Sequence, residues 1–320
     1  MTRLAAASAA ALAAMAFSTG AVAQDAITVY SAGPATLIEA LSAGFTAETG
    51  IGVDVFQATT GQLMARIEAE ASNPVVDVVI SASWGTATDF AERGWLVAYT
   101  SPNAEAVPDF LKTDTAVAQG VSALAIAWNP TSGTPRPEDW SDLLAPSFAD
   151  LVTMPDPAQS GSAFELVAAL QAQQGDWSVF EGLAANGLVV PGANAEALNP
   201  VLQGAKAAVF GAVDYISLAG RAAGETIEVI FPASGTVVAP RPMMILNWTE
   251  NEAGAKAFID YVLSDAGQAE VAKVYLMPAR ADVPADRPLI GDLKLLPLDA
   301  DAAYSARQQI LADFAAAIGR

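Results

Sequence analysis

The residues with the most chemical content are hydroxyls and glycines gathered in short turns. Ser31 and Gly33 follow one β-branched run, Thr59, Thr60 and Gly61 a second, and Ser81 and Ser83 a third, while Ser160, Gly161 and Ser162 open an apolar helical stretch. At the amino end of a helix the first N–H groups lack partners and carry partial positive charge, so turns of this kind supply the chemistry of an anion site. A phosphate, phosphonate or carboxylate suits it. Any single Ser or Thr in such a place can simply cap its own helix; four such turns together point to a ligand. Asn194, just before a further helical stretch, joins the candidate ligand residues.

Asp214, in GAVDYISLAG, stands at a strand-to-helix junction. Its carboxylate can accept from sugar hydroxyls or pair with a ligand amine, or can serve only as a helix amino-terminal acid. Tyr215 and Trp84 are candidate apolar walls for a ligand, with packing under a loop as the alternative for the tryptophan. Arg280, in MPARADV, reads as a structural ion-pairing residue joining two lobes rather than as an anion ligand. Asp156 and Glu165 are the one carboxylate pair that suggests glycoside cleavage, but no recognisable sugar-cleaving context surrounds them.

Composition works by exclusion. The 320 residues contain no cysteine and no histidine, which removes disulfides, thiolate nucleophiles, Ser-His-Asp and Cys-His arrangements and His-based metal sites. No cofactor or resident metal is expected. The first 23 residues read as an export signal: Arg3, an apolar run from Leu4 to Phe17, and Ala21-Val22-Ala23 before Gln24. That run is shorter than the roughly 20 residues of a bilayer span. Removing the leader takes Arg3 from 15 basic residues, leaving 14 against 35 acidic ones, a formal charge of 21 negative. Such a field disfavours nucleic acid and anionic membrane surfaces. A periplasmic, monomeric protein without membrane insertion is the expectation.

The elements that must position these turns alternate between strand and helix. Strands are expected at 27–30, 53–56, 75–80, 122–128, 151–154, 207–210, 227–231 and 243–248. Helices are expected at 35–49, 62–71 with Thr60 as cap, 86–93, 162–174, 195–203, 215–223, 252–263, 265–274 and 304–318. In open α/β sheets ligands bind at the carboxyl ends of strands, where the hydroxyl turns fall.

The order VYSAGP, TAETGI, VFQATTG, DVVISAS, DFAERGWL, AVDYISLA and AKAFIDYVLSDAGQ, with the MPARADV tail, resembles the substrate-binding proteins of ABC importers, in the ferric-ion-binding branch. That branch also includes binders of phosphonates, hexose phosphates and thiamine. The resemblance implies an α/β, type II periplasmic binding fold: two lobes joined by two hinge crossings, closing on a solute passed to an inner-membrane permease. It places one lobe at 24–120 with 241–288, the other at 121–240, and a helical extension at 289–320. Iron binders of the branch carry a histidine, an acid and two adjacent tyrosines where this chain has Pro34, Ala82, Val213 and Asp214, with Tyr215 beside them. Ferric iron needs several hard donors on one point, so a small anionic solute, phosphorylated or phosphonate-bearing, is expected, with iron the first alternative and an exported enzyme on the same fold the second. Ser234, in FPASGTVVAP, stands where hexose-phosphate binders of the branch carry an acid.

Overall fold

In the computed structural model residues 26–320 are described; the leader expected over 1–23 lies outside them. The strands are β1 (Ile27–Ser31), β2 (Val53–Gln57), β3 (Val78–Ile80), β4 (Ala116–Trp128), β5 (Val152–Thr153), β6 (Ala208–Val213), β7 (Glu228–Ile230), β8 (Val238–Ile245) and β9 (Met277–Pro278). The α-helices are α1 (Ala35–Thr49), α2 (Thr60–Ala69), α3 (Gly85–Glu92), α4 (Gly161–Gln174), α5 (Ser178–Ala185), α6 (Asn194–Leu202), α7 (Asp214–Ala222), α8 (Glu252–Val262), α9 (Asp265–Lys273), α10 (Ala300–Ser305) and α11 (Arg307–Ala317).

The sheet runs β2-β1-β3-β8-β4-β6-β5, with β7 and β9 also on β4. At one end β1 pairs in parallel with β2 and β3, and β3 pairs antiparallel with β8. At the other end β6 lies between β4 and β5. The strands common to both ends are β4 and β8, antiparallel from Ala116↔Met244 to Ala123↔Val238. Two α/β lobes therefore share one long strand pair, which forms the hinge crossings.

Local chemistry accounts for the elements that carry the site. In α1 the residues Leu37, Ile38, Leu41 and Phe45 recur at helical spacing and are all buried, and covering each is worth about 1.5–3 kcal/mol. Gly50 ends the helix at φ 77°, a left-handed conformation natural to glycine. In β3 all three residues are buried, as suits a strand covered on both faces. It starts at Val78 rather than Val75, which is exposed; just before it the Asp77 carboxylate accepts the Thr28 N–H at 2.7 Å and the Thr249 hydroxyl at 2.5 Å.

The strand β4 begins at Ala116, six residues before Ser122; Gln119-Gly120 breaks the β-branched pattern but forms a bulge instead of a turn. The short helix α5 was not anticipated, its Val179, Phe180 and Leu183 burying one face. The last helix is two, α10 and α11, with Ala306 between them. Arg280 is structural, but within one lobe: it contacts Asp265 and Asp282, both at 2.7 Å, and the Leu263 carbonyl at 3.1 Å. The final segment joins the second lobe through Thr236 N–H to the Lys294 carbonyl (2.9 Å) and Leu296 N–H to the Thr236 carbonyl (2.7 Å). It then packs α10 between α3 and α4.

Candidate functional site

Between the lobes, at the carboxyl ends of β1 and β2, lies a cavity of about 420 Å³. The lobes meet directly around it. The Gly61 N–H donates to the Gln159 carbonyl at 3.3 Å. A Cβ on Gly61 would stand 2.6 Å from the Ala158 carbonyl oxygen, and one on Gly161 2.9 Å from that of Ala82. Only glycine permits these approaches.

Helix amino termini converge here from both sides. Pro34 precedes α1, Thr59 and Thr60 open α2, Ser160 and Gly161 open α4, and Ala193 and Asn194 open α6; all line the cavity. At α2 the Thr59 hydroxyl accepts the Gln62 N–H at 3.3 Å while Gln62 reciprocates. At α4 the Ser160 hydroxyl accepts the Ala163 N–H at 3.2 Å. Neither α1 nor α6 has a side-chain cap, so their first-turn N–H groups remain for a ligand, except that of Leu37, which donates to the Pro34 carbonyl at 3.1 Å.

The strongest feature is one that sequence reasoning missed. Arg241 lines the cavity and is 1% exposed. It lies on β8 opposite the two bulged residues Gln119 and Gly120, since Ala118 pairs with Pro242 and Val121 with Pro240. A bulge bends the strand and re-aims side chains. The guanidinium donates to two neutral oxygens, the Ala32 carbonyl at 3.1 Å and the Tyr215 hydroxyl at 3.4 Å, and its Nε has no partner among the described residues. It also stands 5.2 Å from the centre of the Tyr215 ring. A buried cation without a counter-charge is costly, and an anion in the cavity removes that cost. The Gln119 Oε1 at the same bulge is likewise buried and unpartnered. The available signal was Pro240-Arg241-Pro242 in a β-branched stretch: prolines are rare inside a sheet, and they bracket one long cation.

Of the residues the sequence did single out, Gly33, Thr59, Thr60, Ser160, Gly161, Asn194 and Tyr215 line the cavity. The rest are engaged elsewhere. Ser31 accepts the Gly33 N–H at 3.1 Å inside its own turn. Gly61 makes the lobe contact described above. Ser81 bonds Thr86 at 2.8 Å, Ser83 donates to Glu165 at 2.6 Å, and Ser162 is buried beside Ser160 at 3.2 Å. Trp84 packs against the main core. Ser234 binds Asp139, its N–H donating at 2.8 Å. The helix cap expected at Thr60 is Thr59.

Asp214 is a larger departure. It is fully buried and does not line the cavity. Its carboxylate pairs with the buried Arg287 and accepts the Ala123 N–H at 3.0 Å and the Tyr215 N–H at 2.7 Å. Burial pushes this carboxyl up, against Arg287 and the two amides, which favour its charged form. Asp214 thus fastens the start of α7 to β4. Asp156 is a turn residue accepting the Ala158 N–H at 2.9 Å, and Glu165 is buried against Ser83. Neither lines the cavity as a cleaving pair would.

A sequence profile of the bacterial extracellular solute-binding proteins matches residues 73–306. The chain belongs to that family, and it is the substrate-binding component of an ABC importer with the type II periplasmic binding fold. Iron uptake protein A1 of Synechocystis is 26% identical over 283 residues, spanning 82% of this chain and 78% of that protein. A putative 2-aminoethylphosphonate-binding periplasmic protein of Salmonella typhimurium is 25% identical over 280 residues, 82% of each chain. Among solved structures, the periplasmic binding protein AfuA of Actinobacillus pleuropneumoniae, with fructose-6-phosphate bound, superposes with a TM-score of 0.84 at 21% identity, covering 92% of this chain and 99% of that one. Iron-bound HitA of Pseudomonas aeruginosa gives 0.80 at 20% identity, with 91% and 99% covered. At these identities the structures share the fold. Among the described residues no helix is long and apolar enough to cross a membrane.

Proposed function

We propose that this protein is exported to the periplasm by its leader and there, as a monomer, captures a small solute bearing a phosphate or phosphonate group, which it passes unchanged to its permease. The lobes in this reading are 24–120 with 241–288 and 121–240, with 289–320 as an extension. The observation that carries it is Arg241: a buried guanidinium at the cavity floor whose Nε is unpartnered. The open starts of α1 and α6 supply further donors. The sequence relative from Salmonella is named for a phosphonate, and the AfuA structure contains a sugar phosphate; both solutes are of the class this site suits. The cavity volume is in the range of small-molecule sites.

The formal charge of 20 negative in the whole sequence does not oppose this. Exposed charges are screened over roughly 8 Å at physiological salt, whereas donors in the cleft contact an anion at about 3 Å. Ferric iron fits less well. Among the described residues Tyr215 is the one phenol lining the cavity, its oxygen already faces the cationic Arg241, and Glu196 is the one carboxylate.

The test is native mass spectrometry of protein purified without refolding, followed by calorimetry with 2-aminoethylphosphonate, fructose 6-phosphate, inorganic phosphate and thiamine. Retention or binding of a phosphorus oxyanion is expected. Binding confined to thiamine would refute the anion reading.

A further inference from the structure

Outside the cavity one buried carboxylate among the described residues remains without a role. Glu165, on α4 of the second lobe, is 2% exposed and accepts a hydrogen bond at 2.6 Å from Ser83, in the β3–α3 turn of the first lobe. The bond spans the lobe interface. The C-terminal segment lies over the same seam. Tyr304 on α10 packs so closely on α3 that a Cβ on Gly85 would fall 2.2 Å from its ring, and Thr88 on α3 donates to Asp301 on α10 at 2.5 Å. From α11, Arg307 stacks over Phe164 at 4.3 Å and donates to the Pro157 carbonyl at 3.3 Å, both in the second lobe. Its Nη1 is buried and unpartnered. The final segment is thus anchored on one lobe and pressed against the other.

We propose that Glu165, Ser83 and the α10–α11 segment form a clasp that sets how readily the lobes close, so that Glu165 is a positioning residue governing affinity from outside the solute site. This rests on the reading above, in which the lobes close on a solute. Closing buries the carboxyl and opening returns it to water. The groups facing it are Ser83 and the Trp84 N–H from the first lobe, and Arg307 and Asp301 from the C-terminal segment. Burial raises its pKa from 4.5 to about 7, against Ser83, Arg307 and the Trp84 amide, while Asp301 adds to the rise.

The sign of the pH effect follows. In the closed form the carboxyl holds its proton up to about pH 7; in the open form, in water, it loses it near the ordinary value of 4.5. Closure therefore takes up a proton between these values. Raising the pH through this window shifts the equilibrium toward opening by up to about tenfold per pH unit, and above it the effect levels off.

The chain has no cysteine, so Ala69→Cys on α2 and Gln203→Cys after α6, both exposed, accept spin labels without background. Electron–electron distances are measured at pH 5 and pH 8, without solute and with millimolar 2-aminoethylphosphonate or fructose 6-phosphate. The expected result is a short spacing at pH 5 that lengthens at pH 8, with Glu165→Gln short at both. Ser83→Ala, which removes the donor, should shift the pH 5 population toward the long spacing by about two- to tenfold. Identical pH responses in the parent and Glu165→Gln overturn the clasp. If the spacing answers to the probes but not to pH, the clasp is wrong and lobe closure stands. If it answers to neither, closure itself is refuted and the clasp with it.

Discussion

Replacing Arg241 by methionine should have opposite effects on binding and on the stability of the empty protein. The guanidinium is 1% exposed and is held toward the cavity by the Ala32 carbonyl and the Tyr215 hydroxyl. An anion bound to it gains at least one charge-assisted hydrogen bond, at the free Nε, and a neutralised buried charge. Hydrogen bonds to charged groups are worth about 1.5–3 kcal/mol each, and truncating one partner of a buried charged contact costs about 2–5 kcal/mol. The loss expected for a phosphorus oxyanion is about 3–5 kcal/mol, or roughly two hundredfold to several thousandfold in Kd. In the empty protein the same arginine is an uncompensated buried cation. Replacing it with an apolar side chain of similar reach should leave Tm unchanged or raise it. Arg241→Lys keeps the charge but loses the planar fork, so it should fall between parent and methionine in affinity. Calorimetry with the solute that the parent binds, together with thermal melts of both empty proteins, gives the two readings. If Arg241→Met binds as tightly as the parent, the anchor is misassigned; if binding and Tm fall together, the arginine is structural.

Gly61→Ala and Gly161→Ala should each weaken binding while leaving the stability of the empty protein within about 1 kcal/mol of the parent's, the scale of an uncomplicated glycine substitution. The added methyl meets backbone of the opposite lobe, so scattering should show a larger radius of gyration with solute than the parent has; an unchanged radius would refute lobe closure. Asp214→Ala strands the buried Arg287 and two amides and should cost about 3–5 kcal/mol in chemical denaturation; a loss of affinity without loss of stability would return Asp214 to the ligand site. Ferric citrate should produce no visible charge-transfer band, and a strong band abolished by Tyr215→Phe would establish iron as the solute.

What was legible in the sequence was whatever is decided by neighbours along the chain. The helix α1 has the bounds its apolar spacing gives, from Ala35 to Thr49. The hydroxyl turns lie near the cleft because strand, turn and helix follow one another within a few residues. Which hydroxyl faces the cavity was not legible, because that depends on partners far away: Ser83 is drawn to Glu165, 82 residues on, and Asp214 to Arg287, 73 residues on. Arg241 was hidden for the same reason. Its direction is set by a bulge at Gln119-Gly120, which becomes visible only once β4 and β8 are laid side by side, and its flanking prolines read locally as a loop.

The placement of Arg241 on β8 also bears on the order of events in capture. A side chain on a hinge strand travels least when the lobes swing, as a point near a pivot does. The anion should therefore find its anchor already in place in the open form, with the more distant helix starts arriving afterwards. Loading becomes a two-stage process, a diffusive encounter whose rate rises with solute concentration and a unimolecular swing whose rate does not. Stopped-flow traces should separate into those two phases, and a single phase that saturates at low concentration would place the swing before the encounter.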